Sequence, residues 1–174
     1  MMAAFGAGLV VGGLLAAAFF LVVGSLLRPL LPDWARLTLV GLFLVFIALR
    51  EYGRFSAVRM PENRRLVPVT VFRLGRLLGP FQFGLEMGTG ARTYLPSGLP
   101  YVMAVAVAFF ASPLLTVLAG VGFGIGRSIM TVASVSYGDD SAWDDEWDIH
   151  QRLLVTFMVA AFAAALGTGL TGGF

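Results

Sequence analysis

The chain has 174 residues, 58% of them hydrophobic and only 13% charged, and its mean hydropathy is +0.86. Soluble domains run about 45–50% apolar and about 25% charged, so this composition points to a single integral membrane domain over residues 1–174. With no cysteine, it excludes a disulfide framework, thiolate metal sites and thiol–disulfide catalysis by this chain alone. All twelve basic residues are arginine, for a net charge of +2 and a pI near 9.5. They gather in one stretch, which marks a cytoplasmic side and not a nucleic-acid surface. The apolar runs are continuous, whereas barrel strands would alternate over segments of ~10 residues. The expected fold is therefore all-α: a polytopic bundle of about five transmembrane helices, the third broken or re-entrant.

The first segment, Phe5 to Leu27, is uncharged and long enough to cross a core ~30 Å thick. It lacks a basic n-region and a cleavage pattern, so it reads as a retained helix and not a signal peptide. Gly8 and Gly12 are spaced for close helix contact, or simply reflect membrane-helix composition. Pro29 and Pro32 stop this helix, Asp33 is placed to cap the next, and Trp34 suits an interface. The second segment, Leu37 to Tyr52, is short, with Arg50 and Glu51 expected at its headgroup end.

From Arg50 to Arg76 there are seven arginines against Glu51 and Glu62. The positive-inside rule places the 53–76 loop and the N-terminus in the cytoplasm and the C-terminus outside, in a bacterial inner membrane. Leu66 to Leu78 could form an amphipathic interfacial helix that touches anionic lipid. The third segment, Gly79 to Ala111, is too long for one crossing, and its surplus lies in a Gly/Pro-rich half. A clean helix is expected only from about Tyr101 to Phe110. Segment four, Leu114 to Ala133, carries Gly120, Gly122, Gly124 and Gly126, which cannot share one helical face. Ser134 to Arg152 reads as a solvated acidic loop, and segment five runs from Leu153 to Leu170.

Chemistry-bearing residues are few. Glu86, Thr89 and Thr93 follow i, i+3 and i+7 and would share a helical face, with Arg92 and Tyr94 beside them. Ionisable groups inside a membrane span are costly and mark candidate sites. Glu86 and Arg92 could bind a proton or solute in a cavity, or form an ion pair that positions the broken segment. Arg127 could partner Glu86 or mark the cytoplasmic end of its helix. Asp144, Asp145, Asp148 and His150 offer oxygen and imidazole to a divalent cation, but their spacing is not that of an EF-hand, and a solvated acidic loop is the reading preferred for them. No cofactor is indicated and no catalytic set is visible. The partners expected are the bilayer itself and a second copy or another membrane protein, through the glycine-rich helix faces and the 139–150 acidic loop.

The stretch Phe83-Gly-Leu-Glu-Met-Gly-Thr-Gly-Ala-Arg-Thr-Tyr-Leu-Pro-Ser-Gly-Leu-Pro-Tyr101, followed by Phe123-Gly-Ile-Gly-Arg127, resembles the second half of the cytochrome c biogenesis and thiol-disulfide transmembrane family, the CcdA/DsbD-like proteins. There a Gly-rich helix leads into a proline-flanked cysteine, and the next helix ends in a Gly-rich turn. Thr93-Tyr-Leu-Pro-Ser-Gly-Leu-Pro100 takes the proline-flanked place here. The resemblance covers roughly half the chain and implies pseudo-symmetric halves with broken helices facing a cavity. It does not carry over electron transfer, since that family shuttles electrons through two membrane cysteines and this chain has none. The expected function is transport or binding of a small solute or ion at a broken-helix cavity. The rival expectation is a non-catalytic subunit that stabilises or recruits partners in a membrane complex.

Overall fold

A helix that is uncharged for its whole length can run on until something removes its backbone hydrogen bonds. In the first helix that something is Pro29. The computed structural model describes residues 1–54, 73–90, 95, 97–137 and 140–172. Among them the chain forms six α-helices and no strand: α1 (Met2–Leu27), α2 (Asp33–Glu51), α3 (Gly75–Gly88), α4 (Leu99–Phe110), α5 (Pro113–Tyr137) and α6 (Asp140–Gly172). A 3-10 turn, Arg28–Leu30, carries Pro29 and joins α1 to α2. Two stretches, Met2–Leu30 and Pro113–Ala133, are long and apolar enough to cross a membrane.

Asp33 does not cap α2. The N-cap is Pro32, and Asp33 is already the first helical residue, one position too late for its carboxylate to reach back to the free amides. It pairs instead with Arg36, one turn on. The acidic segment also departs from expectation. It is not a loop, because α6 begins at Asp140 and runs through it. Acidic side chains in the first turns favour the positive end of the helix dipole, so the same residues that suggest solvated loop also start a helix.

α1 is the axis of the molecule, and glycine decides how closely its neighbours approach. A Cβ added at Gly8 would lie 2.1 Å from Phe81 O, and one at Gly12 would lie 2.3 Å from Leu85 O. The reciprocal positions on α3 behave alike: Gly84 faces Phe5 O at 2.1 Å and Gly88 faces Leu9 O at 2.3 Å. Both helices advance four residues together, so α1 and α3 are parallel and backbone meets backbone. The Gly8–Gly12 spacing thus marks a true close contact. On α5 the order reverses, with Gly120 against Gly13 and Gly124 against Val10, so α5 is antiparallel to α1. Gly122 and Gly126 occupy the other face of α5, where nothing lies within 4 Å.

Further along α1, Gly24 meets Ala108 of α4. α3 and α4 therefore run in the same direction along α1, as two halves of one interrupted helix. This makes the third segment broken, not re-entrant. Gly12 to Gly24 advances twelve residues while Gly88 to Ala108 advances twenty, so the interruption holds eight residues more than a continuous helix needs. Gly90, with φ +72°, takes the left-handed conformation that lets the chain leave α3. Leu44 and Ile47 of α2 pack with Leu99 and Val102 of α4, and Val159 of α6 joins that cluster.

Candidate functional site

The start of a helix leaves amide donors unpaired, and its end leaves carbonyls unpaired. In apolar surroundings that debt is costly, so a helix of only 12 residues gains from partners at both ends. α4 has them. At its start, Gly98 N donates to Glu51 Oε1 at 2.8 Å, and Leu99 N donates to Ser97 Oγ at 3.2 Å. Pro100 has no amide hydrogen to place. Tyr101 N already reaches Gly98 O at 3.1 Å.

At its end, Arg28 Nε donates to Ala108 O at 2.8 Å, and Arg28 Nη2 donates to Val107 O and Ala111 O at 3.0 and 2.9 Å. Arg36 Nη1 adds a bond to Phe109 O at 3.3 Å. A carboxylate stands at the positive end of the helix dipole and two guanidiniums at the negative end, which is the favourable arrangement at both.

Glu51 is the unexpected member. Instead of marking a headgroup boundary, its side chain is 4% exposed, and Arg50 pairs with it at 3.3 Å. α2 runs antiparallel to α4, with Arg36 at one end of α4 and Glu51 at the other. Glu51 therefore reaches the interruption. Adjacent Arg50 and Glu51 look the same in sequence whether they end a span or enter a break. Only the position of Gly98 separates the two cases.

The interruption opens into a cavity of about 330 Å³ between α1, α4 and α5. Gly13 and Ala17 of α1, Ala104 of α4 and Phe123 of α5 form much of its wall. Small side chains at Ala16 and Ala17 of α1 and Ala104 of α4 leave the room. Among the described lining residues, the only polar side chains are Thr89 and Tyr101.

Of the residues singled out in the sequence, Thr89 lines this cavity. Its hydroxyl donates to Glu86 O at 2.8 Å. Glu86 itself does not line it. Two residues past Gly84 and two before Gly88, it is turned about 200° from the α1-facing glycines, and its carboxylate accepts a 3.5 Å bond from Gln82. Arg92, Thr93 and Tyr94 lie outside the described residues. Arg127 is on α5, one turn beyond Phe123, with its guanidinium 6.0 Å from that ring's centre. Glu86 meets Gln82 of its own helix and not Arg127. The segment Phe123 to Arg127 is mid-helix and not a Gly-rich turn.

The proposed cation ligands lie in the opening turns of α6. Asp145 and His150 are exposed, and the side chains of Asp144 and Asp148 are outside the described residues. His150 pairs with Glu146 at 3.2 Å, and no group of three metal-capable side chains occurs among the described residues. Tyr101 and Glu51 are the site residues that sequence reasoning missed. Tyr101 carried one signal, its place directly after Pro100 at the start of a clean helix.

No protein-family model matches the chain, and comparison with curated proteins and with solved structures finds no match. The likeness to the thiol-disulfide transmembrane family rests on the residue pattern quoted above.

Proposed function

We propose that the protein is a multi-pass membrane protein that binds a small solute at the interrupted helix and carries it across the bilayer. The observation that carries this reading is the cavity of about 330 Å³ at the break, beside a half-helix held at both ends. That volume falls at the lower end of the ~300–1,000 Å³ of small-molecule sites. Transporters commonly place their sites where helices are discontinuous near the midplane.

Five crossings are supported by the packing: α1, α2, the α3–α4 pair as one, α5 and α6. Large apolar side chains on several of these helices face outward, among them Phe19, Leu118 and Phe157, at 62%, 58% and 68% exposure. Lipid is the solvent that tolerates them. The arginines from Arg54 to Arg76 favour a cytoplasmic position for the N-terminal end of α1. The other reading, a subunit of a membrane complex, is favoured by the open Gly122 and Gly126 face of α5, where another helix could approach closely.

The absence of cysteine makes a clean test available. Single cysteines at Ala16 and Ala104, in the cavity wall, are compared with one at Leu118, on an outward face. In membrane vesicles, a water-soluble maleimide should modify the cavity cysteines at least tenfold faster than Leu118→Cys. Equal rates would remove the cavity from consideration as a solute site. Co-purification of a stoichiometric protein partner after mild solubilisation would shift the choice to the subunit reading.

A further inference from the structure

The cavity also restricts what it can hold, and this inference rests on reading the cavity as a solute site. No charged side chain is among the described residues of its wall. Three nearby charges among the described residues are committed elsewhere. Glu51 is engaged by Gly98 N and Arg50, Arg28 by the end of α4, and Glu86 is turned away toward Gln82. Among the described residues of the wall, an ion entering this space would find no counter-charge to offset its lost water, a cost of several kcal/mol or more.

The wall still offers one uncommitted polar group. Among the described residues, the Tyr101 hydroxyl makes no hydrogen bond with the protein. Thr89 is already spent on Glu86 O. Tyr101 is half-buried, and a tyrosine hydroxyl in apolar surroundings usually finds a partner, so an unpartnered one on an apolar wall fits a ligand that brings its own.

We propose that the cavity takes an uncharged, mainly apolar solute bearing a single hydrogen-bonding group, which Tyr101 Oη holds while Phe123, Ala104 and Ala17 surround the apolar body. Tyr101 is then the specificity-determining residue. It separates an alcohol-like or carbonyl-bearing molecule from a hydrocarbon of the same shape. Charge separates both from an ion.

Three probes of one shape test this: cyclohexanol, methylcyclohexane and cyclohexanecarboxylate. Each is equilibrated by dialysis with purified protein in nanodiscs, and nanodiscs carrying Ala104→Trp supply the background from lipid. Ala16→Leu serves as a second blocking variant should the tryptophan impair folding. Cyclohexanol should bind the wild type above background, and Tyr101→Phe should weaken it about tenfold, the worth of one neutral hydrogen bond. Methylcyclohexane should bind wild type and Tyr101→Phe equally, and cyclohexanecarboxylate should bind neither. Binding of the carboxylate that the blocking variants abolish would overturn the solute class while leaving the cavity as a site. So would cyclohexanol binding that ignores Tyr101→Phe. If no probe separates wild type from both blocking variants, the reading of the cavity as a solute site fails, and this proposal with it.

Discussion

The two halves of the interrupted helix are held in different ways. α3 is fixed along its side: Gly84 and Gly88 bring its backbone against Phe5 and Leu9 of α1, and among the described residues the side-chain bond at its end is a local one, from Thr89 Oγ1 to Glu86 O. α4 also packs side-on, on α1 at Gly24–Ala108 and on α2 through Leu99 and Val102, but it is in addition held at its ends, by Glu51 at one and by Arg28 and Arg36 at the other. Side-on glycine packing depends on shape and short-range contact over the whole length. End-capping depends on a few charge-assisted bonds, each roughly twice as strong as a neutral one. The cavity lies where one mode gives way to the other. Beside the cavity α1 presents Ala17 and α4 presents Ala104, small side chains that leave the space open.

The sharpest way to break this comparison is at α1 Gly12. Gly12→Leu forces a side chain to within 2.3 Å of Leu85 O and should cost about 3 kcal/mol, the upper range for overpacking. Hydrogen exchange should then rise across α3 while α4 keeps its protection. Equal loss in both halves would show that they are not held separately.

Arg28→Met comes next, since it deletes three bonds to the end of α4, worth about 2–3 kcal/mol in unfolding by denaturing detergent. Arg28→Lys should recover less than half, because one ammonium cannot span three carbonyls as a guanidinium fork does. Glu51→Ala should cost about 2 kcal/mol, with Glu51→Gln retaining an acceptor for Gly98 N and losing about half as much. Both Arg28 and Glu51 changes should expose α4 to exchange and spare α3. The smallest effect belongs to Gly122→Ala, which meets nothing within 4 Å and should leave stability unchanged or raise it by up to about 1 kcal/mol through helix propensity. A clear loss there would reveal a helix from another chain seated on that face.

Much of this architecture is legible in the residues. The apolar runs, Pro29 and the Gly/Pro-rich stretch after Gly88 locate the helices and the break, because breaking a helix is a local event decided by residues within a turn. The site was less legible. Glu86 drew attention as a carboxylate in an apolar segment, yet two residues separate it from each α1-facing glycine, and that offset turns it away. The acidic run from Asp140 to Asp148 reads as loop on polarity alone, although acidic residues at a helix start are also what the dipole favours. Glu51 looked like a boundary marker because nothing nearby in sequence says that Gly98 waits for it, 47 positions on.

Sequence alone determined the helical class, the apolar character, the place of the break and the lack of thiol chemistry. Composition and short-range backbone rules suffice for each. Only the tertiary structure decided which glycines touch α1, that α3 and α4 run parallel as one broken helix, and that Glu51, Arg28 and Arg36 close the ends of α4. Those outcomes depend on which face each helix turns and on contacts as distant in sequence as Gly124 with Val10. No local rule reports either one, because the same carboxylate beside the same arginine serves a surface or a buried helix end according to what packs against it.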